Sequence, residues 1–337
     1  MAKISLVENL ILRAKGSNKV IVLPEGNDER VIKASIEATK LQIAKIVILG
    51  DPTVIVPQLG KKFADSIVVI NPLKEEKMQL TFAEELYNLR REKGLTLAEA
   101  KQEVKKPMVF ATMMAKLGYA DGVVAGLRLK TSEVIKPAFQ IIKAKPGVNK
   151  VSSFMIMEIP EGINLGNKGV LFFADCGVII DPSSEDLASI ATETALSARK
   201  LCSVTPKVAL LSYSTHASGN ETDSIIKIRN ALKIIKSKTP ELIVDGEIQA
   251  DAALNAEVSK AKCGSQDILG GKANILVFPD LNSANISYKL VQRIAGISAV
   301  GPILQGLNKP VNDMSRGATY QELIKLIAVT ALQAKQI

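Results

Sequence analysis

Apolar positions along the chain follow two rhythms that take turns. Short β-branched runs at 20–23, 46–49 and 67–70 are each closed by a turn signal: Pro24-Glu25-Gly26, Gly50-Asp51-Pro52 and Asn71-Pro72. Between them apolar residues recur at helical spacing, as Val31, Ile32 and Ile36 do behind Asp28, which is placed to cap that helix. Further helices are predicted near 75–92 and 96–104, the second opened by Thr96 and Glu99 as a capping box. Val123-Val124 runs into a polar loop, and a helix starts near Thr131-Ser132. The second half repeats the scheme, with strands predicted at 153–157, 170–173, 208–213, 242–244 and 275–278. Helices are predicted there near 184–200, 221–237, 250–261, 284–295 and 319–335. Apolar strands separated by helices of about 10–15 residues imply parallel sheets in an α/β fold. Lys145-Pro146-Gly147 is the best candidate for a domain hinge. In such sheets ligands gather at the carboxyl ends of the strands, where helix N-termini turn backbone N–H groups outward.

The N-terminal segment MAKISLVENLILRAKG puts Ile4, Val7, Leu10, Ile11 and Ala14 on one helical face, with Glu8 and Asn9 interrupting the apolar run. It reads as an amphipathic helix ending at Gly16 and not as a signal peptide. No apolar run approaches the roughly 18–20 residues that span a bilayer, so a soluble cytoplasmic protein without a membrane partner is expected. A length of 337 residues suits two domains, and 47% hydrophobic with 23% charged residues is a globular profile. The net charge of +9 raises the question of nucleic acid. With no Trp, 4% aromatic residues and no arginine-rich block, stacking platforms are scarce. An anionic small-molecule substrate is expected instead. Cys176, Cys202 and Cys263 form neither a disulfide framework nor a CxxC knuckle, and each reads as a small core residue.

There is no GxGxxG after a strand and no GxxxxGK[ST], so the usual nucleotide signatures are missing. The single histidine, His216, excludes a His-based metal cluster, and no EF-hand loop is present; no metal is expected. His216 lies in YSTHASGN, a polar loop after a strand, and reads at most as a substrate contact, because no nucleophile is paired with it. The chemistry is therefore left to Arg, Lys, carboxylates, hydroxyls and backbone. Interconversion of acyl phosphates and thioesters meets that restriction. Both are already activated, and their exchange needs positioning, charge neutralisation and one proton acceptor for a thiol.

Eight segments in order carry a resemblance: VLPEGNDERV (22–31), LRREKGLT (89–96), MVFATMMAKLGYADGVVAG (108–126), VIKPAFQIIKAKPGVNKVSS (134–153), FADCGVIIDPSSEDLASIA (173–191), VDGEIQADAA (244–253), ANILVFPDLNSANISYKLVQR (273–293) and GPILQGLNKPVNDMSRGATYQEL (301–323). Together they resemble the phosphate acetyltransferase family across nearly the whole chain. The resemblance implies two doubly wound α/β domains with an interdomain active-site cleft, in a homodimer. One domain would be built from both chain ends, residues 1–148 with 305–337, and the other from 149–304. It implies transfer of an acetyl group between coenzyme A and phosphate by direct thiolate attack in a ternary complex. Coenzyme A would be a substrate, with no tightly bound cofactor.

Carried over residue by residue, Ser315-Arg316-Gly317 matches the family's central motif. Arg316 would neutralise phosphate and developing negative charge, and Ser315 would hydrogen-bond the reacting carbonyl or thiol. Glu322 stands where most members carry the aspartate that takes the thiol proton; Thr319 with Glu322 also reads as a capping box opening the last helix. Arg90 matches a substrate arginine, or belongs to a solvated face with Arg91 and Lys93. Lys136 replaces the arginine usual before Pro-Ala, keeping the charge and losing the bidentate fork. Arg128 and Lys130, in a loop that departs from the family pattern, are extra cations. Thr131 and Ser132 would offer hydroxyls and helix-start N–H groups to phosphate, or simply cap a helix. Arg30 matches an arginine near the coenzyme path, and Asn285 lies where the family more often has flanking glycines. Two other activities stay open: a phosphate butyryltransferase or other acyl specificity, and an isocitrate-type dehydrogenase, which lacks support from any nucleotide signature or metal-binding carboxylate set. A nucleic-acid module has only the charge in its favour.

Overall fold

The computed structural model describes residues 6–148, 150–166 and 169–335. Its elements in chain order are α1 (Leu6–Ala14), β1 (Val20–Leu23), α2 (Glu29–Lys40), β2 (Lys45–Leu49), α3 (Pro52–Leu59), β3 (Val68–Ile70), α4 (Glu76–Arg90), α5 (Leu97–Glu103), α6 (Pro107–Lys116), β4 (Gly122–Ala125) and α7 (Thr131–Pro137). There follow β5 (Ser152–Glu158), β6 (Val170–Ala174), α8 (Ser184–Cys202), β7 (Lys207–Leu211), α9 (Asp223–Lys238), β8 (Ile243–Ile248), α10 (Ala250–Leu254), α11 (Ala256–Cys263), β9 (Ile275–Val277), α12 (Leu281–Ile294), β10 (Ala299–Gln305), β11 (Val311–Asp313) and α13 (Tyr320–Ala334). The chain divides into two compact units. One, the terminal unit, comprises Asn9–Lys145 and Leu307–Ile337; the other, the central unit, comprises Met1–Glu8 and Pro146–Gly306.

In the terminal unit the described strands run β3-β2-β1-β4-β11, all parallel, with Val22 opposite both Val47 and Val123. Apolar strands buried on both faces demand helices over the sheet, and α13 and α6 both pack on β4. The polar side chain of Asn312 on β11 is buried yet satisfied, donating to Thr330 Oγ1 at 2.8 Å and Gln333 Oε1 at 2.7 Å on α13. Asp28 caps α2 by accepting Arg30 N–H at 3.0 Å, and Thr96 and Glu99 form their capping box, both as the sequence predicts. Two helices have no counterpart in the sequence reading. In α6 every residue from Met108 to Ala115 is buried, so no polar face marks a helical period. In α3, the Gly-Asp-Pro read as a turn is a cap, Asp51 accepting Thr53 N–H at 2.9 Å with Pro52 in the first turn.

The central unit holds a sheet in the order β10-β5-β6-β9-β7-β8. Strands β6, β9, β7 and β8 are parallel, whereas β5 is antiparallel to both its neighbours. This departs from a purely parallel expectation, and the reason is local: among the described residues between β5 and β6 there is no crossover helix, so the chain reverses. Strand β10 has no counterpart in the sequence reading: Gly301-Pro302 lies within it, and proline ordinarily argues against a paired strand; the register shifts between Val300 and Ile303. The helix expected near 250–261 is two helices, because Asn255 adopts an extended conformation and caps α11. Cys176, Cys202 and Cys263 are all buried and none is in a disulfide, and burial pushes the thiols of Cys176 and Cys263 up. Among the described residues no helix is long and apolar enough to cross a membrane.

Candidate active site

The strand order of the terminal unit puts its topological switch between β1 and β4, where crossovers leave in opposite directions. The strands being parallel, the loops after β1, β4 and β11 share one edge of the sheet. They carry Pro24-Glu25-Gly26, residues 126–130, and Met314-Ser315-Arg316-Gly317.

Two side chains of the β1–α2 segment tie these loops together. Glu25, 9% exposed, accepts four backbone N–H groups: Gly126 at 2.8 Å and Leu127 at 3.0 Å on Oε2, Arg128 at 2.7 Å and Leu129 at 2.8 Å on Oε1. Successive N–H groups turned inward form an anion nest, and here the chain's own carboxylate fills it. Arg30 grips Asp28 through Nε at 2.9 Å and Nη2 at 2.7 Å, and its hydrogen bond holds the Asp28 carboxyl below the usual range. Its Nη1 donates to the carbonyls of Arg316 and Ala318, both at 2.8 Å, and Nη2 to that of Leu127 at 3.1 Å. A guanidinium has five N–H donors, and these five bonds account for all of them. Arg30 therefore holds the SRG loop and the 126–130 loop in place. Its expected signature is kinetic. Arg30→Gln should lower kcat about tenfold or more, about 1.4 kcal/mol of barrier, while KM for coenzyme A stays within about twofold. Steady-state kinetics varying coenzyme A checks this; a raised KM with unchanged kcat would instead mark a direct coenzyme contact.

Ser315, Arg316 and Gly317 are exposed, with Gly317 N–H directed at Ser315 Oγ at 3.4 Å. The backbone of Arg316 is fixed from behind by Arg30, while its side chain is presented to solvent; no salt bridge among the described residues engages it. Immediately after it, Thr319 and Glu322 form the capping box of α13: Glu322 Oε2 accepts Thr319 N–H at 2.8 Å and Oγ1 lies 3.2 Å from it, while Thr319 Oγ1 accepts Glu322 N–H at 3.2 Å. The cap is thus present, six residues along the chain from Arg316.

A cavity of about 740 Å³ opens in the same unit. Arg90, Lys93, Lys106 and Lys136 line it as cations, and Leu86, Met108, Pro137 and Ile141 supply apolar wall. The N-terminus of α6 faces it too, with Lys106 at the cap position making no side-chain capping bond. The first N–H groups of a helix lack intrahelical partners and carry positive potential, but Glu25, Glu99, Glu103 and Glu133 line the cavity too and Lys106 pairs with Glu103, so the lining cations are matched by carboxylates. Of the residues singled out in the sequence, the cavity brings together Arg90 and Lys136. Thr131 and Ser132 open α7 and are exposed, Lys130 rather than Thr131 occupying the cap position. Asn285 lies on α12 of the central unit, where its amide donates to the Cys176 carbonyl at 3.1 Å. His216, also in the central unit, pairs through Nε2 with Asp245 at 3.1 Å.

Two site carboxyls escaped the sequence reading, Glu25 and Asp313. Asp313 ends β11 and is 1% exposed; burial pushes it up to about 6, against the Thr131 hydroxyl and Met314 N–H hydrogen bonds. The signal for Glu25 was an acid one residue beyond the apolar strand β1, in PEG; Asp313 lies inside the short strand Val-Asn-Asp, which gives no such signal.

The model of the phosphate acetyl/butaryl transferase family matches residues 5–331. The phosphate acetyltransferase of Thermoanaerobacterium thermosaccharolyticum is 44% identical over 331 residues, covering 98% of this chain and 100% of the relative. That of Clostridium acetobutylicum is 42% identical over 333 residues, covering 98% and 99%. The chain belongs to the phosphate acetyl/butaryl transferase family. Among solved structures, a phosphotransacetylase from Streptococcus pyogenes is 38% identical and superposes with a TM-score of 0.89 over 100% of both chains. The family match extends over all the loops described above: the β1–α2 segment, the end of β4, the wall formed by α4, α6 and α7, and the SRG loop all fall inside it.

Proposed function

We propose that the chain is a phosphate acetyltransferase, exchanging an acetyl group between coenzyme A and orthophosphate. The observation that carries this reading is the SRG loop, an exposed arginine on a backbone clamped by Arg30, in a chain that full-length phosphate acetyltransferases match.

In the reading proposed, the coenzyme A sulfur attacks the carbonyl carbon of acetyl phosphate. The bond from that carbon to the bridging phosphate oxygen breaks, and its electron pair leaves on orthophosphate. Glu322 takes the thiol proton, which passes to solvent or to the product phosphate. Arg316 meets the charge that builds on the carbonyl and phosphoryl oxygens, its planar fork spanning two of them. Ser315 donates to the reacting carbonyl. Arg90 and Lys136 draw the anionic substrates into the cavity; Lys136 contributes a point charge where a fork would add direction. Thr131 and Ser132 donate to phosphoryl oxygens from the start of α7. Nothing in the scheme needs a metal or a covalent enzyme intermediate.

A thioester-absorbance assay with acetyl phosphate and coenzyme A, and no nicotinamide cofactor, tests the reading. Acetyl-CoA should accumulate from acetyl phosphate faster than butyryl-CoA does from butyryl phosphate; a preference for butyryl phosphate would move the assignment to the longer acyl chain. We propose a cytoplasmic homodimer as its working form. Support for a second copy comes from α12, where Ile286, Leu290 and Ile294, spaced four apart, are 56%, 52% and 81% exposed. Light scattering should return twice the 36.1 kDa chain mass, and a mass of one chain at working concentration would remove the dimer.

A further inference from the structure

Glu25 has no step in the scheme above, although four backbone N–H groups converge on its carboxylate. They come from consecutive residues, Gly126 to Leu129. A strand sends successive N–H groups to opposite edges, so this convergence needs a curled loop, the conformation in which backbone amides enclose an anion. The acid is aimed from a rigid base. Pro24 precedes it, and Gly26 after it donates its N–H to the Leu49 carbonyl at the end of β2, at 3.1 Å. A methyl group on Gly26 would stand 2.5 Å from that same oxygen. The loop so held also abuts the SRG segment. Gly126 has φ +112°, and a methyl group there would sit 2.6 Å from both the nitrogen and the oxygen of Met314, the residue before Ser315. Arg30 takes the loop from its carbonyl side at Leu127, and takes the carbonyls of Arg316 and Ala318 as well. Glu25 therefore fixes the N–H side of a loop whose carbonyl side and contact face are both tied to the SRG segment. Gly126 and Leu127 are buried, so without the acid their N–H groups are left unsatisfied away from bulk solvent. The nest is open on one side: Glu25 and Leu129 both line the cavity of about 740 Å³, so a small anion can reach the four amides once the side chain is gone.

We propose that residues 126–129 form a carboxylate-binding site whose captive ligand is Glu25, and that through it Glu25 is a positioning residue for Arg316. A filled nest keeps the loop curled. The curled loop keeps the Leu127 carbonyl on Arg30 and its own backbone against Met314, and the Arg316 fork stays at the reacting oxygens. An empty nest lets the four amides turn away singly, and the fork loses its placement. Glu25→Ala removes one methylene and the carboxylate, so the vacated site takes a small monocarboxylate such as formate or acetate. The inference rests on the reading of Arg316 as the group that meets the transition-state charge.

Formate is the probe, added to the whole protein as wild type, Glu25→Ala and Glu25→Gln, with thermal unfolding and acetyl-CoA formation as the two readouts. Glu25→Ala should lose about 10²-fold in kcat, the scale of a misplaced catalytic group, while KM for coenzyme A stays within about threefold. Saturating formate should raise its thermal midpoint by about 2 °C and restore kcat about tenfold. Wild type, its nest already filled, should show neither response. Glu25→Gln should lose about tenfold in kcat, because its one amide oxygen meets two of the four N–H groups and its NH₂ opposes the others. That variant carries the test if Glu25→Ala does not fold, and wild-type turnover in it overturns the proposal. Formate that shifts Glu25→Ala and wild type alike is a general salt effect, and overturns the carboxylate site. Formate that stabilises Glu25→Ala selectively without restoring turnover overturns the positioning role. If wild type itself makes no acetyl-CoA, it is the proposed activity that falls, and the thermal response alone decides the carboxylate site.

Discussion

Replacing Arg316 by lysine should lower kcat about 10²-fold or more, the scale seen when one oxyanion donor is removed. An ammonium keeps the charge but cannot hold two oxygens in one plane. The structure makes the variant a clean test. Arg30 binds the main-chain carbonyl of residue 316, not its side chain, so the loop's anchor survives the substitution. The side chain at 316 is exposed, and the thermal midpoint should hardly move. KM for acetyl phosphate should change far less than kcat, because the lost interaction belongs to the transition state. Near-normal turnover in Arg316→Lys would remove the role assigned to this residue.

Glu322→Gln should abolish most turnover at neutral pH while leaving the fold intact. A thiol with a reference pKa of about 8.5 is mostly protonated there, and a positioned acceptor raises the thiolate fraction as attack begins. Glutamine is accepted at the third position of a capping box, so the bonds to Thr319 are largely retained and the base alone is lost. Activity should partly return as pH rises toward the thiol pKa, because coenzyme A then ionises unaided. Glu322→Ala separates the two roles from the other side, since it removes cap and base together and should cost about 1 kcal/mol of stability as well. Full activity at pH 7 in a folded Glu322→Gln protein would leave Glu322 as a cap alone.

What was legible in the sequence follows from what each segment had to bury. Strands such as Val20–Leu23 and Val170–Ala174 stand out because both faces are covered, and α2 and α5 because their caps are local. The helix α6 has no solvent face and so no period, while β11 is three residues, Val-Asn-Asp, too short and too polar to show a strand rhythm. Strand β8 continues four residues past Val244, to Ile248, through Asp245-Gly246-Glu247, polar positions that look like a turn. They are buried because Arg229 reaches Glu247 through Nε at 2.8 Å and Nη2 at 3.0 Å. Burial opposes ionisation of Glu247, yet the Arg229 hydrogen bonds and backbone N–H groups outweigh it and hold the carboxyl at about 2.

The site divides in the same way. The SRG segment is contiguous, so a motif suffices to find it. Glu25 matters through four N–H groups about a hundred residues away, and a lone acid in PEGN gives no hint of that convergence. Arg30 is conspicuous in the sequence as a cation, but only the fold shows that its N–H groups are all turned inward, onto carbonyls at 127, 316 and 318 and onto Asp28.

The central claim is direct transfer of acetyl between phosphate and the coenzyme A thiol, with both substrates bound together. Labelled orthophosphate, incubated with the protein and acetyl phosphate, tests it in two arms, with and without coenzyme A. The account predicts that label enters acetyl phosphate when coenzyme A is present, as acetyl-CoA forms and is phosphorolysed, and that none enters without it. Exchange in the absence of coenzyme A would reveal a covalent acetyl-enzyme, and no exchange in its presence would contradict acetyl transfer altogether.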